Sequence, residues 1–344
     1  MTSTGLPANG DPGNEAAREP KGDELRFITP AEARRKWEDR VWEMEGVTWL
    51  FNDGQCESRG GHPEWRNGRL MLCLVVIDHY YHFAAELLLG VWRTYSSLGR
   101  AFSSDGTTTL PAPARAWFIR MTEQTWRDKP RFNPTILWSA FPSMSVLYQD
   151  DWADMKRSTS NSSGLEKAYI FPRAILADRS AAFRGPATSS TSRTVASAMK
   201  VGDPGPWWWE PVRRQVLRFA GVTEEVLDIA LEGYGAVNPA LLVEDPDALK
   251  EYTPPSREPL SSWKEMGKKP LVTYISRQSS RRRLTPDSHK DLVGALEKHS
   301  KANGWELLVV EAEKMTKEEQ LQLAARTTVS SCVTCVGISR WGVF

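Results

Sequence analysis

The chain has 344 residues, enough for two ordinary domains, and its 40% hydrophobic and 25% charged residues are typical of a folded globular protein. Its 44 Lys and Arg balance 43 Asp and Glu, so no overall field favours nucleic acid or an anionic membrane as a partner. The longest apolar run, Leu70 to Ile77, is far shorter than the roughly 18 residues of a membrane span.

For the first part of the chain, the sequence predicts a disordered segment followed by an α/β domain. Residues 1–30 are rich in Gly, Pro, Asn, Glu and Lys, and we expect them to be disordered. A domain over 31–243 follows, and residues 158–200, dense in Ser, Thr and Ala, predict a long surface excursion that holds the sequon Asn161-Ser162-Ser163. The predicted elements are a helix capped by Thr29, a strand from Arg69 to Ile77, an apolar helix from about Tyr80 to Ser97, a strand from Ala116 to Met121, and helices beginning at Glu210 and after Thr223.

The last part predicts a second α/β domain over 263–344, joined by a Pro-containing linker over 244–262. Its predicted elements are a strand from Pro270 to Ser276, a helix from Thr285-Pro286 to Asn303, a strand from Trp305 to Glu311, and a helix from the capping box at Thr316 to about Arg326. This alternation predicts a parallel, Rossmann-like sheet that binds ligands at the carboxyl ends of its strands. Only two strand–helix units are predicted, so we expect this domain to be partial.

Two residue types allow more than one interpretation. Fifteen tryptophans could line a carbohydrate site, or they could be bulky core residues, which we favour because aromatics dominate buried area. Cys332 and Cys335 have the spacing of half a zinc motif, but no second pair or neighbouring His completes it. Asp245-Pro246-Asp247 has an acid-x-acid pattern, yet it lies in the predicted linker rather than at a strand end. No metal site is therefore predicted.

His82 and Glu86 are the first candidates for chemistry. They lie four residues apart on one face of the apolar helix, and Arg93 lies close to the same line. Either His82 or Glu86 could deprotonate an acceptor hydroxyl or orient a sugar. The alternative is a satisfied His–Glu pair that fixes the helix in place, and the spacing alone favours this second interpretation.

The second candidate site is the segment Ser276 to Arg283, which follows a predicted parallel strand directly. Arg side chains offer planar, permanently charged forks for a diphosphate, and Ser hydroxyls add donors. The alternatives are a solvated basic loop, or a kinase site at Thr285 after Arg281-Arg282-Arg283. A nucleic-acid patch is disfavoured because no aromatics are interleaved with these arginines. The absence of a GxxxxGK[ST] or strand-linked GxGxxG pattern leaves kinases, ATPases and dehydrogenases without support.

Four segments together resemble glycosyltransferase family 61, which includes EGF-domain-specific O-linked N-acetylglucosaminyltransferases, plant xylan xylosyl- and arabinosyltransferases, and fungal members. Asp78 to Glu86 (Asp-His-Tyr-Tyr-His-Phe-Ala-Ala-Glu) is similar to the family's His-Phe-x-x-Glu helix start. Val272 to Leu284 is similar to its Ile-Ser-Arg…Arg-Arg strand and loop, and Val309 to Thr327 to its strand and Glu-Glu-Gln helix. Trp208 to Val216 is similar to fungal members.

The resemblance implies an α/β fold of the GT-B type, in which two Rossmann-like domains face a cleft. It implies an inverting transfer, independent of metal and of any cofactor, from a UDP-sugar donor to a hydroxyl of a protein or polysaccharide acceptor. His82 and Glu86 would face the cleft, with the identity of the general base left open. Arg277 and Arg281 or Arg282 would contact the donor diphosphate, helped by Ser276 and Ser279. The resemblance also implies that the protein acts in the Golgi or ER, although no signal peptide or membrane anchor is seen in this chain.

One departure from the family pattern begins after Thr328. Relatives continue into another strand and a Gly-rich loop, whose backbone N–H groups are natural phosphate ligands. Here the chain reads Val329-Ser-Ser-Cys-Val-Thr-Cys-Val-Gly-Ile-Ser-Arg-Trp-Gly-Val-Phe344. We therefore expect a divergent tail from residue 329 and an incomplete donor domain. Two other hypotheses stay open: a catalytically inactive truncated homologue, and a nucleic-acid or partner-binding module that uses Arg281 to Arg283.

Overall fold

A computed structural model describes two compact units. One unit comprises Met1–Ala101 and Thr109–Pro204, and the other comprises Phe102–Thr108 and Gly205–Phe344. Within these bounds the structure describes residues 29–38, 40–52, 65–66, 69–70, 80–99, 101–119, 121–159, 167–178, 202–232, 269–279 and 283–332.

The first unit alternates helices and strands. Its elements are α1 (Pro30–Trp37), β1 (Val41–Glu43), β2 (Val47–Asn52), β3 (Trp65–Arg66), β4 (Arg69–Leu70), a π-helix (His82–Leu88) that continues into α2 (Leu89–Ser96), β5 (Pro113–Phe118), α3 (Phe132–Ala140), β6 (Ser145–Leu147), α4 (Gln149–Thr159), β7 (Ala168–Ile170) and β8 (Arg173–Asp178). Helix α1 begins at the predicted cap Thr29, and a capping box forms there, because Thr29 Oγ1 accepts the Glu32 N–H and the Glu32 carboxylate accepts the Thr29 N–H.

A four-stranded parallel sheet in the order β6-β5-β2-β8 forms the centre of this unit. In chain order its strands stand third, second, first and fourth, as do the first four strands of a doubly wound sheet. Residues 47–51 of β2 are all buried, as expected for an inner strand of a parallel sheet. Two shorter ladders join β1 to β7 in parallel and β3 to β4 in antiparallel fashion.

Aromatic side chains fill much of the core of the first unit. Trp49, Trp117 and Trp126 have no exposed surface. Trp49 contacts four aromatic rings, those of Phe51, Trp92, Tyr95 and Phe141. The core interpretation is therefore confirmed for these tryptophans, whereas Trp42 and Trp138 are partly exposed.

Comparison with the predicted elements of the first unit gives one correction. The helix over 80–97 is confirmed, and β5 begins three residues before the predicted Ala116. Of the predicted strand over 69–77, residues 71–77 lie outside the described residues. The prediction of one continuous excursion over 158–200 is wrong at 168–178, where β7 and β8 lie and β8 pairs with β2. The strand β8 is short, and the many Ser and Thr residues around it dominate the composition of the segment, so composition alone did not predict it.

The second unit contains a smaller parallel sheet with its helices. Its elements are α5 (Glu210–Phe219), α6 (Glu224–Glu232), β9 (Leu271–Ile275), α7 (Pro286–Asn303), β10 (Glu306–Val310), a 3₁₀ turn (Ala312–Lys314), α8 (Lys317–Arg326) and β11 (Val329–Cys332). The strands lie in the order β10-β9-β11, all parallel. β9 is central and buried, and its β-branched and aromatic residues suit that position. Helix α7 connects β9 to β10, and α8 connects β10 to β11.

Local signals set the helix ends of the second unit. Thr285 caps α7 by accepting the Ser288 N–H at 3.3 Å, and Gly304 ends the helix in the left-handed region at φ 69°. The capping box of α8 is present, since Thr316 and Glu319 exchange backbone-to-side-chain hydrogen bonds of 2.7 and 3.1 Å. Both helices therefore begin and end where the sequence predicts.

A buried ionic cluster joins α5 to α6. Arg214, whose side chain is 2% exposed, donates to the carboxylates of Glu210, Glu224 and Asp228 at 2.6 to 3.2 Å. Arg213 forms a two-point pair with Glu210 and also donates to the Leu227 carbonyl oxygen. The burial of Arg213, Arg214 and Glu210 is compensated because each of these charges meets an opposite charge, whereas Glu224 and Asp228 are more than half exposed.

The second unit differs from the predicted C-terminal domain in its bounds and in its number of strands. The α/β class with parallel sheets is confirmed for both units, and the second sheet has a third strand, β11, where only two were predicted. The predicted linker over 244–262, most of the 1–30 segment and residues 333–344 lie outside the described residues. The compact units divide near Pro204, so that α5 and α6 belong to the second unit rather than the first. No helix among the described residues is long and apolar enough to cross a membrane.

Candidate functional site

The first candidate pair lies on a π-helix. The segment His82–Leu88 buries Phe83, Ala84, Glu86 and both leucines, and leaves His82 partly exposed. π-helical turns, with hydrogen bonds from residue i to i+5, are rare and frequent at functional sites. This winding places a histidine at the surface with a carboxylate behind it.

His82 and Glu86 contact each other as the spacing predicts. The distance from His82 Nδ1 to Glu86 Oε1 is 3.0 Å, with the histidine side chain 24% and the glutamate 1% exposed. A buried carboxylate on Nδ1 orients an imidazole and leaves Nε2 to exchange a proton with a ligand, the arrangement that serves general bases. The same proximity also fits a structural His–Glu pair, so the geometry agrees with both interpretations.

A second buried carboxylate, Asp128, lies near the start of the same helical segment. Asp128 is 2% exposed, its Oδ1 accepts the Asn133 N–H at 2.8 Å, and its Oδ2 has no hydrogen-bond partner among the described residues. Burial, reinforced by the charge of Asp128, raises the pKa of the Tyr80 phenol. Neither Tyr80 nor Asp128 was predicted as a site residue, because their proximity depends on packing between residues about 50 positions apart.

Arg93 contacts a different region from the His82–Glu86 pair. Its guanidinium donates to the Gly202 carbonyl oxygen at 3.0 Å. Burial lowers the pKa of Arg93, and the nearby charge of Asp203 partly offsets that effect. Arg93 therefore attaches the residues around Gly202 to α2, which is a structural role.

The second candidate segment leaves the carboxyl end of β9, and we call its described residues, Ser276–Ser279, the switch loop. Ser276 is 5% exposed, and its N–H donates to the Val310 carbonyl oxygen at 2.8 Å. Arg277 is partly exposed and Ser279 is exposed. The predicted ligands Arg281 and Arg282 lie outside the described residues.

The topology gives the switch loop a special position. After β9 the chain forms β10 on one side and later forms β11 on the other, so the strand order is second-first-third. In open α/β sheets ligands bind outside the carboxyl ends of the strands at such a reversal point. The predicted segment of Ser and Arg residues therefore begins where an α/β sheet binds ligands.

Glu313, in the 3₁₀ turn after β10, is a charged neighbour that the sequence analysis missed. Ser279 Oγ donates to its carboxylate. This hydrogen bond, helped by the Glu313 backbone and by the charges of Lys314 and Arg277, lowers the pKa of Glu313. Glu313 follows the end of β10 by three residues, and this position just after a predicted strand is the signal that could have identified it from the sequence.

One small cavity lies beside this sheet but is too small for a nucleotide. It has a volume of about 20 Å³, room for one water molecule, and residues of β9, β10, α8 and β11 line it. A nucleotide bound at this sheet would lie on its open carboxyl edge rather than in the cavity. Among the described residues, no group of three or more His, Cys, Asp or Glu side chains could hold a metal ion.

The chain was also compared with known proteins. No protein-family model, curated protein or solved structure matches it.

Proposed function

We propose that this protein is an inverting glycosyltransferase that moves a sugar from a UDP-sugar to a hydroxyl of a protein or polysaccharide acceptor. The observation that carries the proposal is the position of Ser276 and Arg277 at the strand-order reversal of a parallel sheet. The resemblance to glycosyltransferase family 61 supplies the reaction, and the His82–Glu86 contact supplies a group suited to proton transfer.

Each candidate residue has a role in this reaction. The acceptor oxygen forms a bond to the anomeric carbon while the bond from that carbon to the diphosphate breaks, which inverts the configuration. His82 takes the proton of the acceptor hydroxyl, and Glu86 stabilises the imidazolium that results. Arg277 offsets the negative charge that develops on the departing UDP, with Ser276 and Ser279 as further donors. The proposed transfer uses neither a metal nor a cofactor. We also propose that the protein resides in the Golgi or ER.

Titration with UDP tests the donor site. We expect the unaltered chain to bind UDP and Arg277→Ala to lose about tenfold or more in affinity, because a charge-assisted contact to the diphosphate is removed. Arg326→Ala is the matched control, since this exposed arginine lies at the end of α8 with a weak 4.0 Å contact to Glu306. Isothermal titration calorimetry measures all three constants, and equal affinities for the chain and Arg277→Ala would rule out the assignment of Arg277.

A panel of UDP-sugars then tests the reaction itself. Release of UDP that depends on an added glycan or protein acceptor would support transfer, and the stereochemistry of the product would show whether inversion occurs. Tagged protein in a fungal cell would test residence in the Golgi or ER by microscopy.

A further inference from the structure

Two acidic residues follow β10, and they face different partners. The Glu311 carboxylate pairs with Lys314 at 2.9 Å, within its own turn. The Glu313 carboxylate instead accepts the hydroxyl of Ser279 across the edge of the sheet. Among the described residues, Glu313 is thus the carboxylate that hydrogen-bonds to the switch loop.

The position of Glu313 in its β-α-β unit resembles one that contacts nucleotides in other units of this kind. β9, α7 and β10 form one β-α-β unit, with β10 next to β9 in parallel register. Where such units bind nucleotides, the phosphates lie at the turn after the first strand, and an acidic residue farther along the same unit accepts hydrogen bonds from the ribose hydroxyls. Glu313 follows the second strand and already contacts the turn after the first.

The negative charge of Glu313 favours contact with the ribose of a nucleotide and disfavours contact with its phosphates. Its hydrogen bond with Ser279 and the nearby Lys314 and Arg277 lower its pKa. An ionised carboxylate accepts hydrogen bonds and has no proton to donate. A carboxylate repels a diphosphate, but it can accept two hydroxyl groups at once through its two oxygens. Glu313 is therefore suited to a sugar diol rather than to the phosphates.

We propose that Glu313 binds the 2′,3′-diol of the ribose in the nucleotide whose diphosphate the switch loop holds, with the diol replacing Ser279 Oγ as its hydrogen-bond donor. The site thereby selects ribonucleotides over deoxyribonucleotides. The proposal rests on the proposed function, because it needs a nucleotide at the switch loop.

The full chain is titrated by calorimetry with UDP, with 2′,3′-dideoxy-UDP and with inorganic diphosphate. We expect the unaltered chain to bind UDP about tenfold or more tightly than the dideoxy compound, because hydrogen bonds to a charged acceptor are lost. Glu313→Ala should weaken UDP binding by a similar factor and abolish the preference. The same variant should bind inorganic diphosphate at least as tightly as the unaltered chain, since a repulsive charge is removed.

Glu311→Ala is the matched control, because it removes the same side chain from the same turn but leaves the switch loop untouched. It should keep the preference for UDP. Equal binding of UDP and its dideoxy analogue by the unaltered chain would overturn the role of Glu313 without any variant. If Arg277→Ala still loses UDP in that case, the proposed function stands alone. Failure of the unaltered chain to bind UDP at all would overturn both.

Discussion

The contact between His82 and Glu86 shows how one pair of residues supports two interpretations. A buried carboxylate 3.0 Å from a partly exposed imidazole can orient a catalytic base, and it can equally fix a helix in place. The two roles differ in what the negative charge does. In catalysis the charge stabilises an imidazolium, whereas a structural pair needs only a hydrogen-bond acceptor of the right shape.

Glu86→Gln separates these roles because the amide keeps the shape and the acceptor but removes the charge. We expect the transfer rate to fall on the order of 10²-fold while UDP affinity stays unchanged. Transfer assays with a UDP-sugar, together with UDP titration, measure both quantities. Glu123→Gln is the control, since this exposed glutamate pairs with Arg127 four residues away. Full activity of Glu86→Gln would identify the pair as structural.

Tyr80 gives the first unit a dependence on alkaline pH. Its pKa is raised in the folded protein from an unfolded value of 10.0, so the unfolded chain loses the phenol proton first. The stability from this group is complete below pH 10 and decreases as the pH rises above it, by at most about 1.4 kcal/mol per pH unit. Tyr80→Phe should flatten this decrease in urea unfolding between pH 9 and 11.

The exposed neighbour Tyr81 provides the comparison for that experiment. Tyr81→Phe should leave the alkaline decrease of the unfolding free energy as it is in the unaltered chain. Equal slopes for Tyr80→Phe and the unaltered chain would show that burial of Tyr80 does not perturb its ionisation.

At the scale of elements, α7 shows how the same residue type acts in opposite ways at two positions. Gly294 lies inside the helix, and a Cβ added there would meet no atom within 4 Å. Gly304 ends the helix at φ 69°, a conformation that side chains disfavour. Gly at the first position weakens the helix, whereas Gly at the second ends it without strain.

Substitution by Ala should therefore change stability in opposite directions. Gly294→Ala should raise the free energy of unfolding by about 0.5 to 1 kcal/mol, since Ala has the higher helix propensity. Gly304→Ala should lower it by about 1 kcal/mol, because the left-handed conformation is strained for Ala. Urea unfolding measures both, and a change of the same sign in the two variants would contradict this account of α7.

At the scale of the whole molecule, each unit has its own sheet and its own buried core. The ionic cluster of Arg214 lies wholly in the second unit, where a single guanidinium meets three carboxylates. Removing that guanidinium leaves Glu210 buried with fewer opposite charges, which is costly. Stability of the second unit should therefore depend on this cluster.

Arg214→Ala should lower the free energy of unfolding by about 1.5 to 3 kcal/mol, because Glu210 loses one charged partner but keeps its pair with Arg213. Hydrogen exchange followed by mass spectrometry should show faster exchange in β9 and α8, with β2 and β5 unchanged. Arg218→Ala, which removes a 41% exposed guanidinium paired with Glu224, should cost less than about 1 kcal/mol. Equal acceleration in both units would mean that they unfold together.

The sequence by itself determined the features that depend on residues close together in the chain. The caps at Thr29, Thr285 and Thr316 lie within three residues of their partners, so their helices could be predicted nearly to the residue. The contact of His82 with Glu86 follows from helical spacing for the same reason. The β-α-β alternation likewise predicted parallel strands and pointed to the loop after β9.

Only the tertiary structure decided what depends on residues far apart. Strand order placed β8 beside β2 and gave the second sheet a third strand, although composition favoured a surface excursion and a divergent tail. Contacts, not the position of prolines, assigned α5 and α6 to the second unit. The contact of Ser279 with Glu313 spans 34 residues, and packing sets such pairings because no local pattern encodes which strand ends meet.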